Sequence, residues 1–187
     1  EDPRRQRQMC IRDSFIATGE LDYDWRLPED EWQALTLSYT SGTSGRPKGV
    51  VYHHRGSYLM SFGTVAAWQL GQHPTYLYTV PMFHCNGWGH AWTMALMAAK
   101  IVLTRTITAE EIFRLIDRHK VTHFGGAPIV LGMLVNAPDE QRPNLSDRKV
   151  RAMTAGAPPP ASILEKLSSM GFEVCLLYTS PSPRDTG

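Results

Sequence analysis

The sequence predicts an α/β fold: layered, mostly parallel sheets with helices on both faces. Three observations carry this reading. Short β-branched or aromatic runs alternate with longer amphipathic ones from Leu35 onward, which is the mark of layered strand and helix packing. The composition, 42% hydrophobic and 20% charged over 187 residues, is that of an ordinary globular chain able to bury a core. Finally, parallel strand–helix–strand crossovers are right-handed with very few exceptions, so successive units wind helices over both faces of one sheet.

In chain order, residues 35–39 and 50–52 read as strands flanking a polar loop, and 55–68 as a helix. Residues 76–80 form a buried strand stopped by Pro81; 89–99 are small and apolar enough for a buried helix, and 101–104 return as a strand. Thr108 caps the next helix, with Glu111 three residues on as a capping box and Ile112, Leu115 and Ile116 as its apolar stripe. A strand at 121–124 follows, then a helix from Pro128 to about Val135, a polar Pro/Asn loop at 137–147, a strand at 150–154, a helix at 160–170 and a strand beginning at 172–174. The domain therefore reads as 15–174. Residues 1–14 are basic and patternless, and 175–187 end in Ser-Pro repeats, so both ends read as a non-native or disordered leader and tail.

Charge and cysteine content narrow the function classes. Nineteen basic and 18 acidic residues leave a formal charge of +1, which argues against a nucleic-acid or membrane surface. No apolar run approaches the roughly 18 residues of a membrane span, and the first residues lack the apolar core of a signal peptide. Cys10, Cys85 and Cys175 are odd in number and irregularly spaced, which fits a reducing, cytoplasmic setting better than a disulfide framework.

The chemistry concentrates in three stretches. Tyr39-Thr40-Ser41-Gly42-Thr43-Ser44-Gly45-Arg46-Pro47-Lys48-Gly49 packs hydroxyls, glycines and a cation into one loop between strands. Glycines let backbone amides converge on anionic oxygens, so the loop suits polyphosphate. It is not a Walker A loop: Gly42 and Gly45 are too close, Pro47 precedes the lysine and Gly49 stands where a hydroxyl should follow it. From these residues alone a mobile Gly/Ser hairpin is an open alternative. Pro81-Met82-Phe83-His84-Cys85-Asn86-Gly87-Trp88 follows a strand and offers a reactive-site turn, a core turn with a satisfied histidine, or a metal site using His84, Cys85 and His90; the ligand spacing disfavours the last. Met153-Thr154-Ala155-Gly156-Ala157-Pro158-Pro159-Pro160 ends a strand in small residues and could be a plain strand-to-helix turn. His53, His54, His73 and His119 read as surface or capping histidines.

All three stretches resemble those of the adenylate-forming superfamily, which includes acyl-CoA synthetases, firefly luciferase and peptide-synthetase adenylation domains. The loop fills every position of [YFL]-[ST]-S-G-[ST]-[ST]-G-x-P-K-G; the P-x-F-H turn and its H-C-N-G-W form are similar to the branch containing methylthiopropionate-CoA ligases and short- and medium-chain acyl-activating enzymes; and Gly156-Ala157-Pro158 matches G-[AG]-A-P. The resemblance spans 15–174 and implies a partial N-terminal AMP-binding domain of an acyl-CoA ligase, with ATP, Mg2+ and CoA as cofactors or co-substrates and a small carboxylic acid as substrate. It implies that Thr40, Ser41, Gly42, Thr43, Ser44 and Gly45 grip the β- and γ-phosphates, with Thr40 also catalytic and helping to place the metal, while Lys48 supports the charge of the loop. It further implies that His84 is catalytic beside the carboxylate and α-phosphate, that Trp88 walls the acyl pocket, that Gly156, Ala157 and Pro158 pack on adenine, and that the stretch from His123 to Pro128, Gly126 in particular, lines the substrate.

After Val174 the family's Y-G-x-T-E does not follow, because Tyr178 is succeeded by Thr179, Ser180 and Pro181. The expectation is therefore a truncated chain without measurable ligase turnover of its own. A non-catalytic nucleotide-binding module and an amino-acid adenylation fragment are the alternatives; the latter usually carries an aspartate for the substrate ammonium, and residues 82–88 have none.

Overall fold

The computed structural model describes residues 13–24, 26–40 and 46–176, Thr40 by its backbone alone. The chain divides into two units, Glu1–Asp30 and Glu31–Gly187. In the first, residues 13–17 are helical, and the Thr18 and Gly19 amides close the turn on the carbonyls of Phe15 and Ile16.

The second unit begins with an antiparallel hairpin of β1 (Ala34–Thr40) and β2 (Lys48–His53), paired from Ala34 opposite His53 to Thr40 opposite Lys48. Both strands extend past the expected 35–39 and 50–52, so the ladder runs up to the polar loop. Helix α1 (His54–Trp68) follows directly because His53 serves as its N-cap: the backbone is extended there, and Nδ1 accepts the Gly56 amide at 3.0 Å.

Five parallel strands form the main sheet: β3 (Thr75–Tyr78), β4 (Lys100–Leu103), β5 (His123–Gly125), β6 (Val150–Thr154) and β7 (Phe172–Leu176), in the order β4-β3-β5-β6-β7. Four helices connect them in turn, α2 (His90–Leu96), α3 (Ala109–His119), α4 (Pro128–Val135) and α5 (Ala161–Ser169). From β3 the chain steps one way to β4, then back across β3 to β5, β6 and β7. Right-handed crossovers then require α2 on one face and α3, α4 and α5 on the other. The core agrees. Tyr76, Tyr78 and Met153 pack with Trp68 and Met94, whereas Leu77, Phe124 and Ala152 pack with Ile112, Phe113, Ile116, Leu131, Leu134 and Leu167.

Local chemistry moved several boundaries. The strand expected at 76–80 ends at Tyr78, because the Thr79 hydroxyl turns to the Gly125 carbonyl. The strand expected at 121–124 lies at His123–Gly125: Lys120 takes a left-handed φ of 52° and Val121 donates to the Ile116 carbonyl, so both residues belong to the C-cap of α3. The helix expected at 89–99 contracts to α2, with Ala98 at φ 48° beyond its end. Only half of the capping box at Thr108 forms. Its hydroxyl accepts the Glu111 amide at 3.3 Å, but both Glu111 oxygens are held by Arg114 at 2.7 Å. Strand β7 continues through Cys175 and Leu176, two residues beyond Val174.

The α1/α2 face contains two buried histidines. His90 meets the Tyr76 hydroxyl at Nδ1 (2.5 Å), and burial pushes its pKa down to about 4. His123 lies edge-on to Trp68 with its Nδ1 at 2.8 Å from the Thr122 hydroxyl; burial, then Arg151, lowers it to about 4. A histidine depressed from 6.5 binds a proton more readily when unfolded. The stabilisation is therefore complete above about pH 6.5 and is lost as pH falls towards 4. Denaturant midpoints should fall steadily between pH 7 and pH 4.5, and His123→Gln should flatten that slope; a midpoint insensitive to pH over this range would contradict the burial of both rings.

Candidate active site

Reversal of winding direction places the topological switch between β3 and β5. Ligands of open parallel sheets bind outside the carboxyl ends of the strands at such a point. The loops after β3, β5 and β6 all leave the sheet at that edge.

After β3 the chain turns at Pro81, and the His84 amide donates to the Pro81 carbonyl at 3.1 Å. Cys85, Asn86, Gly87, Trp88 and Gly89 then adopt five consecutive positive φ values, 48°, 51°, 63°, 59° and 67°. Left-handed backbone costs a non-glycine residue about 1–2 kcal/mol, with asparagine the most tolerant. Such a turn persists only where its surroundings over-determine it. Here the Tyr78 hydroxyl donates to the Gly87 carbonyl at 3.0 Å, and a Cβ on Gly87 would lie 2.1 Å from that hydroxyl. The Asn86 carboxamide donates to the Thr36 and Ser38 hydroxyls of β1 at 2.9 and 3.2 Å. Tyr52 of β2 neighbours Cys85; burial, then Cys85, raises the Tyr52 hydroxyl pKa. A Cβ on Gly89 would strike the Met60 methyl of α1 at 2.0 Å, so helix and turn are in direct contact.

This turn carries two of the expected site residues. His84 is exposed at its start, and Trp88 is half-buried at its end with its ring edge-on to His90, 5.8 Å between centroids. The loop after β5 joins the same edge, since Gly125 accepts the Thr79 hydroxyl and the buried Gly126 donates its amide to the Met153 carbonyl at 2.8 Å. His123, at the start of β5, packs under Trp68 instead of entering that loop. Beyond β6, Gly156 is exposed at φ 93° with open space where a Cβ would stand, followed by exposed Ala157 and Pro158. The Thr154 hydroxyl at the end of β6 is buried with no hydrogen-bond partner among the described residues.

At the hairpin, Thr40 and Lys48 are the last paired residues, and Lys48 is exposed. Ser41, Gly42, Thr43, Ser44 and Gly45, expected to hold phosphates, lie outside the described residues. His84, Cys85 and His90 do not converge as ligands: no group of three His, Cys, Asp or Glu side chains able to hold a metal occurs among the described residues. Sequence reasoning missed Asn86, Tyr78 and Tyr52 as the supports of this turn. The signal for Asn86 was its place in H-C-N-G-W, between a histidine and a glycine where left-handed backbone is tolerated.

The family model described as AMP-binding enzyme matches residues 5–179. The chain belongs to the AMP-binding enzyme family. Its relatives include the acetate/butyrate–CoA ligase AAE7, peroxisomal, of Arabidopsis thaliana, 45% identical over 166 residues that cover 89% of this chain and 29% of the ligase. The chain thus spans about a third of the length of the curated relatives it matches. In fold it is similar to the N-terminal domain of FACL13 from Mycobacterium tuberculosis (TM-score 0.78, 21% identity, covering 90% of this chain and 41% of that one). It is also similar to O-succinylbenzoate coenzyme A synthetase from Bacillus subtilis, solved in complex with ATP and magnesium ion (TM-score 0.70, 23% identity, covering 87% and 33%). The fold is therefore that of the N-terminal domain of adenylate-forming enzymes, as the loop, turn and G-A-P stretches imply.

Two glycines of this AMP-binding chain should respond in opposite senses to alanine. Gly87→Ala places a methyl against Tyr78 at positive φ and should cost about 2 kcal/mol or more. Gly132→Ala, inside α4 with nothing within 4 Å of where the new methyl would stand, should gain about 0.5–1 kcal/mol. Equilibrium denaturation of both variants checks the pair, and equal effects would refute the tight left-handed turn.

Proposed function

We propose that this chain supplies the nucleotide- and acyl-binding face of an ATP-dependent acyl-CoA ligase acting on a small carboxylic acid. The observation carrying this reading is the meeting of the His84 turn with the hairpin that leads into the Thr40–Lys48 loop, at the switch point of the sheet, in a chain whose relative is named an acetate/butyrate–CoA ligase. Because the chain spans 29% of that ligase, the activity is proposed for the protein as a whole.

In this reading a carboxylate oxygen attacks the α-phosphorus of ATP and pyrophosphate departs. The acyl adenylate then passes its acyl group to the CoA thiolate, releasing AMP. The substrate enters as an anion, so no base is required, and the work of the protein is positional and electrostatic. Backbone amides and hydroxyls from Thr40 to Gly45 hold the terminal phosphates, and Lys48 adds positive charge at the base of the loop. An exposed His84 can direct an N–H at charge developing between carboxylate and phosphate. Trp88 bounds the acyl group, Gly126 forms its wall, and the bare backbone at Gly156, Ala157 and Pro158 offers adenine a flat surface. Mg2+ would be carried chiefly by the substrate phosphates with Thr40 as a helper, and bound there it would neutralise triphosphate charge.

A short or medium acyl chain is the proposed substrate class, although one methylene changes pocket discrimination by only about 1–3 kcal/mol. No helix among the described residues is long and apolar enough to cross a membrane. Free thiols at Cys85 and Cys175 suit a reducing, cytoplasmic setting, and the name of the Arabidopsis relative makes the peroxisome the alternative.

Calorimetry of the chain with Mg·ATP should show binding that weakens roughly threefold to tenfold in Lys48→Ala, the loss expected for one charge-assisted contact. In the whole protein His84→Ala should slow acyl-adenylate formation about 100-fold or more with ATP affinity retained. Thioester detected from acid, ATP and CoA supports the ligase reading. ATP binding by the whole protein without adenylate, across short and medium acids, would replace it with a nucleotide-binding module.

A further inference from the structure

We infer that the buried Tyr76–His90 pair is a strut that fixes the spacing between Trp88 and the Gly125–Gly126 loop, and so sets which length of acyl chain the protein accepts. The inference rests on the reading under Proposed function, in which Trp88 and Gly126 bound the acyl group, and it assigns the discrimination to two positioning residues behind those walls.

Three observations carry it. First, one ring touches both walls. His90 opens α2 directly after the left-handed turn; its ring stands edge-on to Trp88, 5.8 Å between centroids, and its Cε1 lies 3.1 Å from where a Cβ on Gly125 would stand. Second, that ring is held in one place. The Tyr76 hydroxyl meets Nδ1 at 2.5 Å, and the rings of Tyr76 and Trp68 enclose the imidazole at 5.3 and 5.4 Å between centroids. Both members of the pair are fully buried; burial pushes the Tyr76 hydroxyl well above its ordinary pKa and His90 down to about 4, so the pair is neutral and acts by shape and hydrogen bonding. Third, Gly125 has no slack. A Cβ there would also lie 3.0 Å from Tyr76 Oη and 3.0 Å from Val80 Cγ2, its carbonyl accepts the Thr79 hydroxyl, and the next amide, of Gly126, donates to the Met153 carbonyl. The loop is thus pinned to β3 and β6 and rests on the pair. Close-packed interiors pass a change in one side chain on to its neighbours, so a change in the pair moves the walls.

The test uses the whole protein with acetate, butyrate, hexanoate and octanoate, and reads thioester formed from each acid with ATP and CoA. His90→Ala should raise kcat/KM for hexanoate relative to acetate about tenfold or more, because the pocket gains room for added methylenes. KM for ATP should stay within about twofold, since the pair faces the acyl walls alone. Tyr76→Phe keeps the ring and deletes only the hydroxyl. It should move the same ratio in the same direction by about threefold to tenfold, the loss expected for one buried hydrogen bond, through KM for the acid with kcat held. Gly125→Ala should act in the opposite sense and favour acetate further. Added to His90→Ala, where the Tyr76 hydroxyl can move aside, the same methyl should take back part of the gain for hexanoate, the non-additivity expected of groups that share one space.

A merely structural pair would lower turnover of all four acids by one factor and leave their ratios intact. Tyr76→Phe preserves the packed volume and decides the matter alone where His90→Ala does not fold. Ratios unchanged in Tyr76→Phe, or Gly125→Ala acting equally in both backgrounds, overturn the inference while leaving the proposed ligase standing. A whole protein that forms no thioester from any of the four acids overturns both.

Discussion

The left-handed turn from Cys85 to Gly89 is the constraint around which the carboxyl edge of the sheet is arranged. Five successive residues occupy backbone that L-amino acids disfavour, and only two of them are glycine. The conformation is sustained from three sides: by the Tyr78 hydroxyl from the sheet, by the Asn86 hydrogen bonds to the hairpin and by Met60 from α1. Because the strand β3 that carries Tyr78 also borders the switch point, the residue that fixes the turn stands where the winding of the sheet reverses.

Much of this was legible in the sequence. Strand β6 and helix α4 fall where alternation and the Pro128 start placed them, since buried runs bounded by proline and polar loops leave little choice. Boundaries failed where a side chain overrode the local pattern. Thr79 left β3 for the Gly125 carbonyl, and Glu111 chose Arg114 over its own helix N-terminus. The first has no signature in one dimension, because Gly125 is 46 residues away, whereas the second is a local i,i+3 ion pair that outcompeted the capping box. The turn residues His84 and Trp88 could be found from the P-x-F-H pattern, but the long-range hydrogen bonds of Asn86 could not, as Thr36 lies 50 residues away in sequence.

The histidines divide along similar lines. His53 caps α1, within the surface or capping role expected of it, whereas His90 and His123 are buried under the aromatic cluster of Trp68 and Tyr76. Their burial keeps both rings neutral at physiological pH. His84, by contrast, is exposed at the start of the left-handed turn. Imidazoles of one chemistry thus acquire different roles from their surroundings alone.

Helix α1 turns an unusual side towards the sheet: Ser57, Ser61 and Thr64 are buried together with Trp68, and the hydroxyls of Ser61 and Thr64 are satisfied by the carbonyls of Ser57 and Met60 one turn back. Small side chains on that stripe act as a thin spacer, letting the helix axis sit low enough for Met60 to touch Gly89. The thickness of the spacer therefore governs how closely α1 approaches the turn that ends at Gly89. A single added methylene at Ser61 would push the helix outward and disturb that turn from a position in the core, two helical turns from Trp68.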